Sequence, residues 1–279
     1  MEDEIVYHYC DVNAFLNIIQ NNKLWLSDVQ KSNDSEECNW IKDKINQEIE
    51  KGLDTERLKA WRTEYLMGTQ FFAMTVYSAC FSEYPDLLSQ WRGYAQDGQG
   101  IAIGFSKSKL LSLNDVLPYN LAFEQVVYDI DKQQTFIQQI IEENIKKMQQ
   151  KGIGHTALEL NINYSMKFPL YKNPSFKEEA EWRLIYLSKP GNPKPDSDIK
   201  DLQFSETKYR CSNEKIISYT ELDFSRIKRD FIKEIWIGPK AKVSKKDIAE
   251  LLAASGYYEG ISYNTREPIR IFQSNSSYR

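Results

Sequence analysis

The chain has 279 residues, of which 41% are hydrophobic and 27% charged, and a formal net charge of −4. That length carries one large domain or two small ones with a sizeable core. The charge excludes a whole-domain basic field, so a nucleic-acid partner would need a local patch. The only histidines are His8 and His155, and Cys10, Cys38, Cys80 and Cys211 are widely spaced. No zinc spacing can be assembled from them, and free thiols in a cytoplasmic protein are expected.

Met1-Glu2-Asp3-Glu4 is acidic and opens no signal peptide. No apolar run approaches a membrane span, so no membrane partner is expected. Ile5-Val6-Tyr7-His8-Tyr9 is β-branched and aromatic, which predicts a strand. Asp11 can cap a helix over 12–21, whose apolar side is Val12, Phe15, Leu16 and Ile19. Leu24-Trp25-Leu26-Ser27 predicts a second strand. Ser32-Asn33-Asp34-Ser35 is a turn and cap ahead of a helix over 36–50, marked by Trp40, Ile41, Ile45 and Ile49. After Gly52 a second helix is predicted over 55–75, with Leu58, Trp61, Tyr65, Leu66 and Phe72 on its apolar side.

A strand over 77–82, a turn at 83–86 and a short helix over 87–95 follow. Asp97-Gly98-Gln99-Gly100 is a tight turn before a buried strand over 101–105. A short strand is predicted at 126–128, a helix at 131–149 and a helical stretch at 156–170. Next come a strand over 182–187, an exposed loop over 190–198, and weaker strands near 202–210 and 215–222. A strong strand over 231–237 is stopped by Gly238-Pro239, and Ser244 caps a helix to Ala254. Strands at 261–263 and 269–271 close the chain. Strands and helices do not alternate regularly. This predicts an α+β fold with a mixed or mostly antiparallel sheet, as one domain over 1–279 with helical insertions at about 36–75 and 131–168.

The glycines Gly98, Gly100 and Gly104 precede a strand, whereas a dinucleotide-binding loop follows one, so they predict a turn and a close-packing glycine. Alternation sets His8 opposite Tyr7 and Tyr9, as a structural histidine or as a partner for a ligand hydroxyl. Period two places Glu181, Arg183 and Ile185 on one face, with Trp182, Leu184 and Tyr186 on the other. Glu181 and Arg183 can pair with each other or share an anionic, sugar-bearing ligand. Glu178 and Glu179 crowd Glu181 and are expected to raise its pKa, or else to be a solvated helix end. In Trp91-Arg92-Gly93-Tyr94, Trp91 suits core packing. Arg92 and Tyr94 suit a cleft, stacking on a ring or holding a phosphate. Asn33-Asp34-Ser35-Glu36-Glu37 lacks calcium-loop spacing and reads as a helix N-terminus.

Taken together, these stretches resemble the bacterial domain of unknown function 2971 family. The resemblance rests on Tyr7-His8-Tyr9, Leu24-Trp25-Leu26-Ser27, Asn33-Asp34-x-x-Glu37 and Cys80-Phe81-Ser82. It continues through Leu88-x-x-Trp91-x-x-Tyr94, Gly100 to Phe105, Lys172, Glu178-x-x-Glu181-Trp182-Arg183, Ile235 to Pro239 and Arg270. The N-terminal strand–helix–strand also resembles that of ADP-ribosyltransferase-like domains, including toxins that modify nucleic acids. That resemblance implies a split sheet and NAD as substrate. It implies His8 on the adenosine ribose, Ser27 shaping the nicotinamide pocket and Glu181 on the nicotinamide ribose, with Glu178 and Glu179 as alternatives. Arg92 or Arg183 would meet the pyrophosphate, and Tyr9, Trp91 or Tyr94 would stack on rings. The acceptor would be a protein, a nucleic acid or water, no metal is required, and a toxin or anti-phage defence role would fit. Two other classes stay open. One is a non-catalytic nucleotide- or partner-sensing module of the same fold. The other is a nucleic-acid binder using Arg226, Lys228, Arg229, Lys240, Lys242, Lys245 and Lys246, a type of charge run that is usually a solvated face.

Overall fold

This computed structural model describes residues 4–31, 39–71, 75–115, 121–188, 203–212, 214–258 and 268–278. The expected turn at 32–35, the acidic stretch to Glu37, Cys38, Phe72, the loop at 190–198 and the strand at 261–263 lie outside the described residues.

Strand β1 (Ile5–Cys10), helix α1 (Val12–Asn21) and strand β2 (Lys23–Asp28) form where the sequence predicts them. The Asp11 side chain accepts the Ala14 N–H, and Asn22 takes the left-handed conformation that ends the helix. The other strands are β3 (Thr75–Ser82), β4 (Ile101–Ser106), β5 (Leu121–Gln125), β6 (Glu181–Ser188), β7 (Gln203–Phe204), β8 (Lys208–Ser212), β9 (Lys215–Asp223), β10 (Ile232–Ile237) and β11 (Arg270–Gln273). They form one sheet in the order β11-β10-β4-β1-β3-β2-β9-β7, with β6 on β3, β5 on β6 and β8 on β9. Only the β10–β11 pair among these strands is parallel. The molecule is therefore mixed α and β with a mixed open sheet.

One face of the sheet carries the main core. Val6, Leu24, Leu26, Ala79, Phe81, Ile103, Phe105, Phe123 and Leu184 pack there under Phe15 and Ile19 of α1. Each such large side chain contributes about 1.5–3 kcal/mol of burial. Phe81 meets Phe105 and Phe123 edge to face, at centroid distances of 5.6 and 5.7 Å.

The remaining helices are α2 (Trp40–Lys51), α3 (Thr55–Phe71), α4 (Leu88–Tyr94), α5 (Lys107–Leu111), α6 (Ile130–Lys151), α7 (Ile153–Tyr164), α8 (Lys228–Phe231) and α9 (Lys245–Ala254). Ile41, Ile45 and Ile49 of α2, Trp61 of α3, Ile140 of α6, and Ala157 and Leu160 of α7 form a second core with Phe168. The two helical insertions thus bury their apolar faces on each other.

Three boundaries differ from expectation. Thr75 starts β3 instead of ending a helix. The strand expected at 126–128 lies upstream, where Leu121 and Phe123 alternate inward, and Val127 makes only an isolated bridge to Tyr171. The helical stretch at 156–170 divides into α7 and a single turn, Phe168–Leu170, that holds Pro169. The close-packing role of Gly104 is as expected, since a Cβ there would lie 2.9 Å from Ile5 Cγ2 and 3.0 Å from Glu234 Cβ.

Candidate functional site

The site begins where two strands part. One edge of β3 pairs with β1 at its C-terminal end (Tyr7 opposite Ser82) and with β2 further back (Ser27 and Asp28 opposite Ser78 and Tyr77). Between these contacts His8 reaches β3 through its side chain, with Nδ1 at 2.9 Å from the Cys80 carbonyl oxygen. A carbonyl only accepts, so Nδ1 carries the proton and Nε2 keeps the lone pair. Burial pushes the His8 pKa below its ordinary value, against the carbonyl bond that raises it, so the ring is neutral at pH 7.

His8, Tyr9, Cys80, Phe81, Gln90, Tyr94, Glu179 and Glu181 line one cleft at this divergence. Measured to the centres of water molecules its volume is about 60 Å³, enough to admit water. Helix α4 supplies Gln90 and Tyr94, four residues apart and so on one helix face. Tyr9 is anchored behind them, donating from its hydroxyl to Tyr84 O at 2.8 Å and accepting from Leu87 N–H at 3.1 Å.

The charged wall of the cleft comes from the start of β6. Glu181 accepts from Arg183 Nε at 2.6 Å and Nη2 at 2.9 Å, and its Oε2 lies 3.4 Å from Lys172 Nζ. Lys172 also donates to Glu179 at 2.6 Å, and Arg183 Nη1 donates to Pro169 O at 2.7 Å. All four side chains are buried. Between the glutamates Ala180 is left-handed, with φ of 43°, a conformation costing an L-residue about 1–2 kcal/mol. Burial pushes the Glu181 carboxyl up, but the bidentate Arg183 and the nearby Lys172 outweigh it and hold its pKa below the ordinary value. Two carboxylates and two cations leave this wall balanced in charge, with ionised oxygens at the edge of a cleft.

Of the residues singled out by sequence, His8, Tyr9, Tyr94, Glu181 and its alternative Glu179 meet in this cleft. Trp91 does not offer a ring to a ligand. It is fully buried, lies edge-on to Tyr9 at 4.8 Å and donates from Nε1 to Asp86 at 2.6 Å. Arg183 is committed to Glu181 and Pro169 rather than to a pyrophosphate. Arg92 is exposed beside the Tyr278 ring, 5.8 Å from its centroid, outside the cleft. Ser27 lies on the same sheet face as Cys80 but away from the cleft, its Oγ 3.2 Å from Arg210 Nη2. Of the two readings of Glu178 and Glu179, a raised Glu181 pKa is overturned, because Arg183 and Lys172 hold it down. The exposed Glu178 fits the solvated end, while Glu179 is buried on Lys172.

Gln90, Cys80, Glu179 and the buried Lys172 complete the site. The α4 period joining Gln90 to Tyr94 was a readable signal for the first. Nothing local marks Lys172 as buried. Of the basic stretch, Lys228 donates to Ser255 O, Arg229 to Gly256 O, and Lys240 pairs with Asp97. Among the described residues no group of histidine, cysteine or carboxylate side chains is arranged to hold a metal. Among the described residues Cys10, Cys80 and Cys211 form no disulfide, and no helix is long and apolar enough to cross a membrane.

The family model described as "Protein of unknown function (DUF2971)" matches residues 90–184. The matched stretch runs from Gln90 in the cleft to Leu184 on β6, taking in Tyr94, Lys172, Glu179, Glu181 and Arg183. No curated protein and no solved structure matches the chain.

Proposed function

We propose that the cleft receives the nicotinamide–ribose end of NAD and that the protein is an ADP-ribosyltransferase-like enzyme, with a protein, a nucleic acid or water as acceptor. The observation that carries this reading is the meeting of His8 and Glu181, far apart in the sequence, in one cleft with Gln90 and Tyr94. NAD supplies a glycosidic bond that breaks to release nicotinamide. The chain's residues bind and orient. Glu181, kept ionised by Arg183 and Lys172, accepts from a ribose hydroxyl at the cleft wall. His8 offers Nε2 as an acceptor, and Tyr94 and the Gln90 amide are placed for the ring and its carboxamide. The cleft is small, so the rest of the dinucleotide lies along the sheet face outside.

A second reading is favoured by one feature of the same wall. Arg183 and Lys172 offset the charge of Glu181 and Glu179, which weakens any stabilisation of a developing positive charge. A module that binds NAD without cleaving it fits that balance. Incubation with NAD separates the two. Nicotinamide release by the wild-type protein that falls at least tenfold in Glu181→Gln supports the enzyme. Calorimetric binding without release supports the binding module, and neither binding nor release removes both readings.

A further inference from the structure

The sheet face that carries the cleft continues past it to a second group of side chains. Strand pairing sets Cys80 and Ser78 of β3, Ser27 and Trp25 of β2, Tyr219 of β9 and Arg210 of β8 on one face. Trp25 packs on Tyr219 at 4.5 Å between centroids, yet 36% of it is exposed. Arg210 lies 5.8 Å from the Trp25 ring centroid and donates from Nη2 to Ser27 Oγ at 3.2 Å. Its Nε is buried without a hydrogen-bond partner, and so is Ser78 Oγ two residues along β3 from Cys80. A buried guanidinium donor left unmade costs about 1–3 kcal/mol or more, and a fork held in place on Ser27 is prearranged for an anion.

Charge distinguishes this end of the face from the cleft. Lys23 and Lys208 both pair with Glu221, at 3.2 and 2.8 Å. With Arg210 the group holds three cations against two carboxylates, Glu221 and the Asp223 opposite Lys23, whereas the cleft wall is balanced. Two residues of β3 separate Ser78 from Cys80, ~7 Å, and one strand spacing of ~5 Å leads on to Ser27. An exposed indole, an unsatisfied guanidinium and excess positive charge lie within nucleotide length of a polar cleft.

We infer that Trp25, Ser27, Ser78 and Arg210 form a second subsite, for the base and phosphates of a nucleoside diphosphate. Trp25 stacks on the base, Arg210 holds a phosphate through its free Nε–H, and Ser78 donates to it. The subsite extends the NAD reading by giving the pyrophosphate a cation that neither Arg92 nor Arg183 provides. It also stands without that reading, since ADP binding needs no nicotinamide.

The test is calorimetric titration of the full chain with ADP. ADP binds the wild type, and Arg210→Gln and Trp25→Ala each weaken binding at least tenfold. Arg210→Lys loses less, because the charge remains and only the fork is lost. Thermal melts check folding, and should Arg210→Gln not fold, Arg210→Lys and Trp25→Ala decide. Absence of ADP binding by the wild type, or equal binding by the Arg210 and Trp25 variants, overturns the subsite. ADP binding sensitive to these variants in a protein that releases no nicotinamide from NAD leaves the subsite standing and removes only the transfer reading. NAD cleavage without ADP binding does the reverse.

Discussion

Two buried glutamates on the same face of the sheet make an instructive pair. Glu234 on β10 accepts from Tyr7 Oη at 2.7 Å, from Trp236 Nε1 at 3.0 Å and from Arg270 Nη2 at 2.6 Å. Glu181 on β6 is just as fully wrapped, by Arg183 and Lys172. Both are about as buried, at 6% and 5% exposed, yet no ligand reading attaches to Glu234. Gly104 lies opposite both Tyr7 and Glu234, and its missing side chain lets that region close completely. Beside Glu181, β1 meets β3 at Ser82 and β2 meets it only at Ser78 and Tyr77, and between these contacts a histidine side chain reaches the Cys80 carbonyl. A satisfied buried carboxylate is ordinarily architecture, and here strand divergence turns one of two such carboxylates into the wall of a cleft.

The contrast can be broken first by truncation. Glu181→Ala leaves Arg183 and Lys172 buried without their shared partner and is expected to cost about 3–5 kcal/mol in urea unfolding. Glu234→Ala is expected to cost less, about 1–3 kcal/mol, because the Arg270 side chain is 51% exposed and regains water. Equal costs would show that the two carboxylates are embedded alike. Gly104→Ala, which crowds Ile5, Tyr7 and Glu234, should destabilise by about 1–3 kcal/mol, confirming that the Glu234 region is closed by packing.

Acid titration sharpens the comparison without mutation. The folded pKa of His8 is depressed, so below its ordinary value of 6.5 the unfolded chain takes the proton first. Its stabilising contribution is present above that value and is lost as pH falls towards the folded pKa. Glu181 acts in the same direction at lower pH, from its ordinary value of 4.5 down through its depressed folded pKa. Melting temperature should therefore fall between pH 7 and 5, and less so in His8→Gln. A flat profile there would contradict a neutral, Nδ1-protonated His8. The smallest structural effect belongs to Tyr94→Phe, on an exposed helix position. It should change stability by no more than ~0.5 kcal/mol while weakening NAD binding severalfold.

Much of the molecule was legible in the sequence because its elements announce themselves locally. The strand–helix–strand opening carries its own cap in Asp11, and the period-two reading of Glu181-Trp182-Arg183 put the correct residues on each face. The fate of Arg183 was not legible. Spacing allowed it to pair with Glu181 or to reach a ligand, and only the approach of Pro169 and Lys172 decided between them. Trp91 could pack or stack, and the tertiary contact with Tyr9 and Asp86 settled that. The reversed pKa of Glu181 had the same cause: local sequence showed its acidic neighbours and hid the cations folded onto it from a distance. Arg210 carried no local signal at all, since its partner Ser27 lies 183 residues away.

The cleft itself is most directly tested at its histidine. The chain contains two, and His155 sits exposed on α7 as an internal control. Imidazole nitrogen and carbon resonances followed by NMR during titration with NAD should show His8 as the neutral Nδ1–H tautomer. Its Nε2 signal should shift as NAD saturates the protein while His155 stays unchanged. Should both histidines remain unmoved at millimolar NAD, or move equally, the cleft is not where NAD binds.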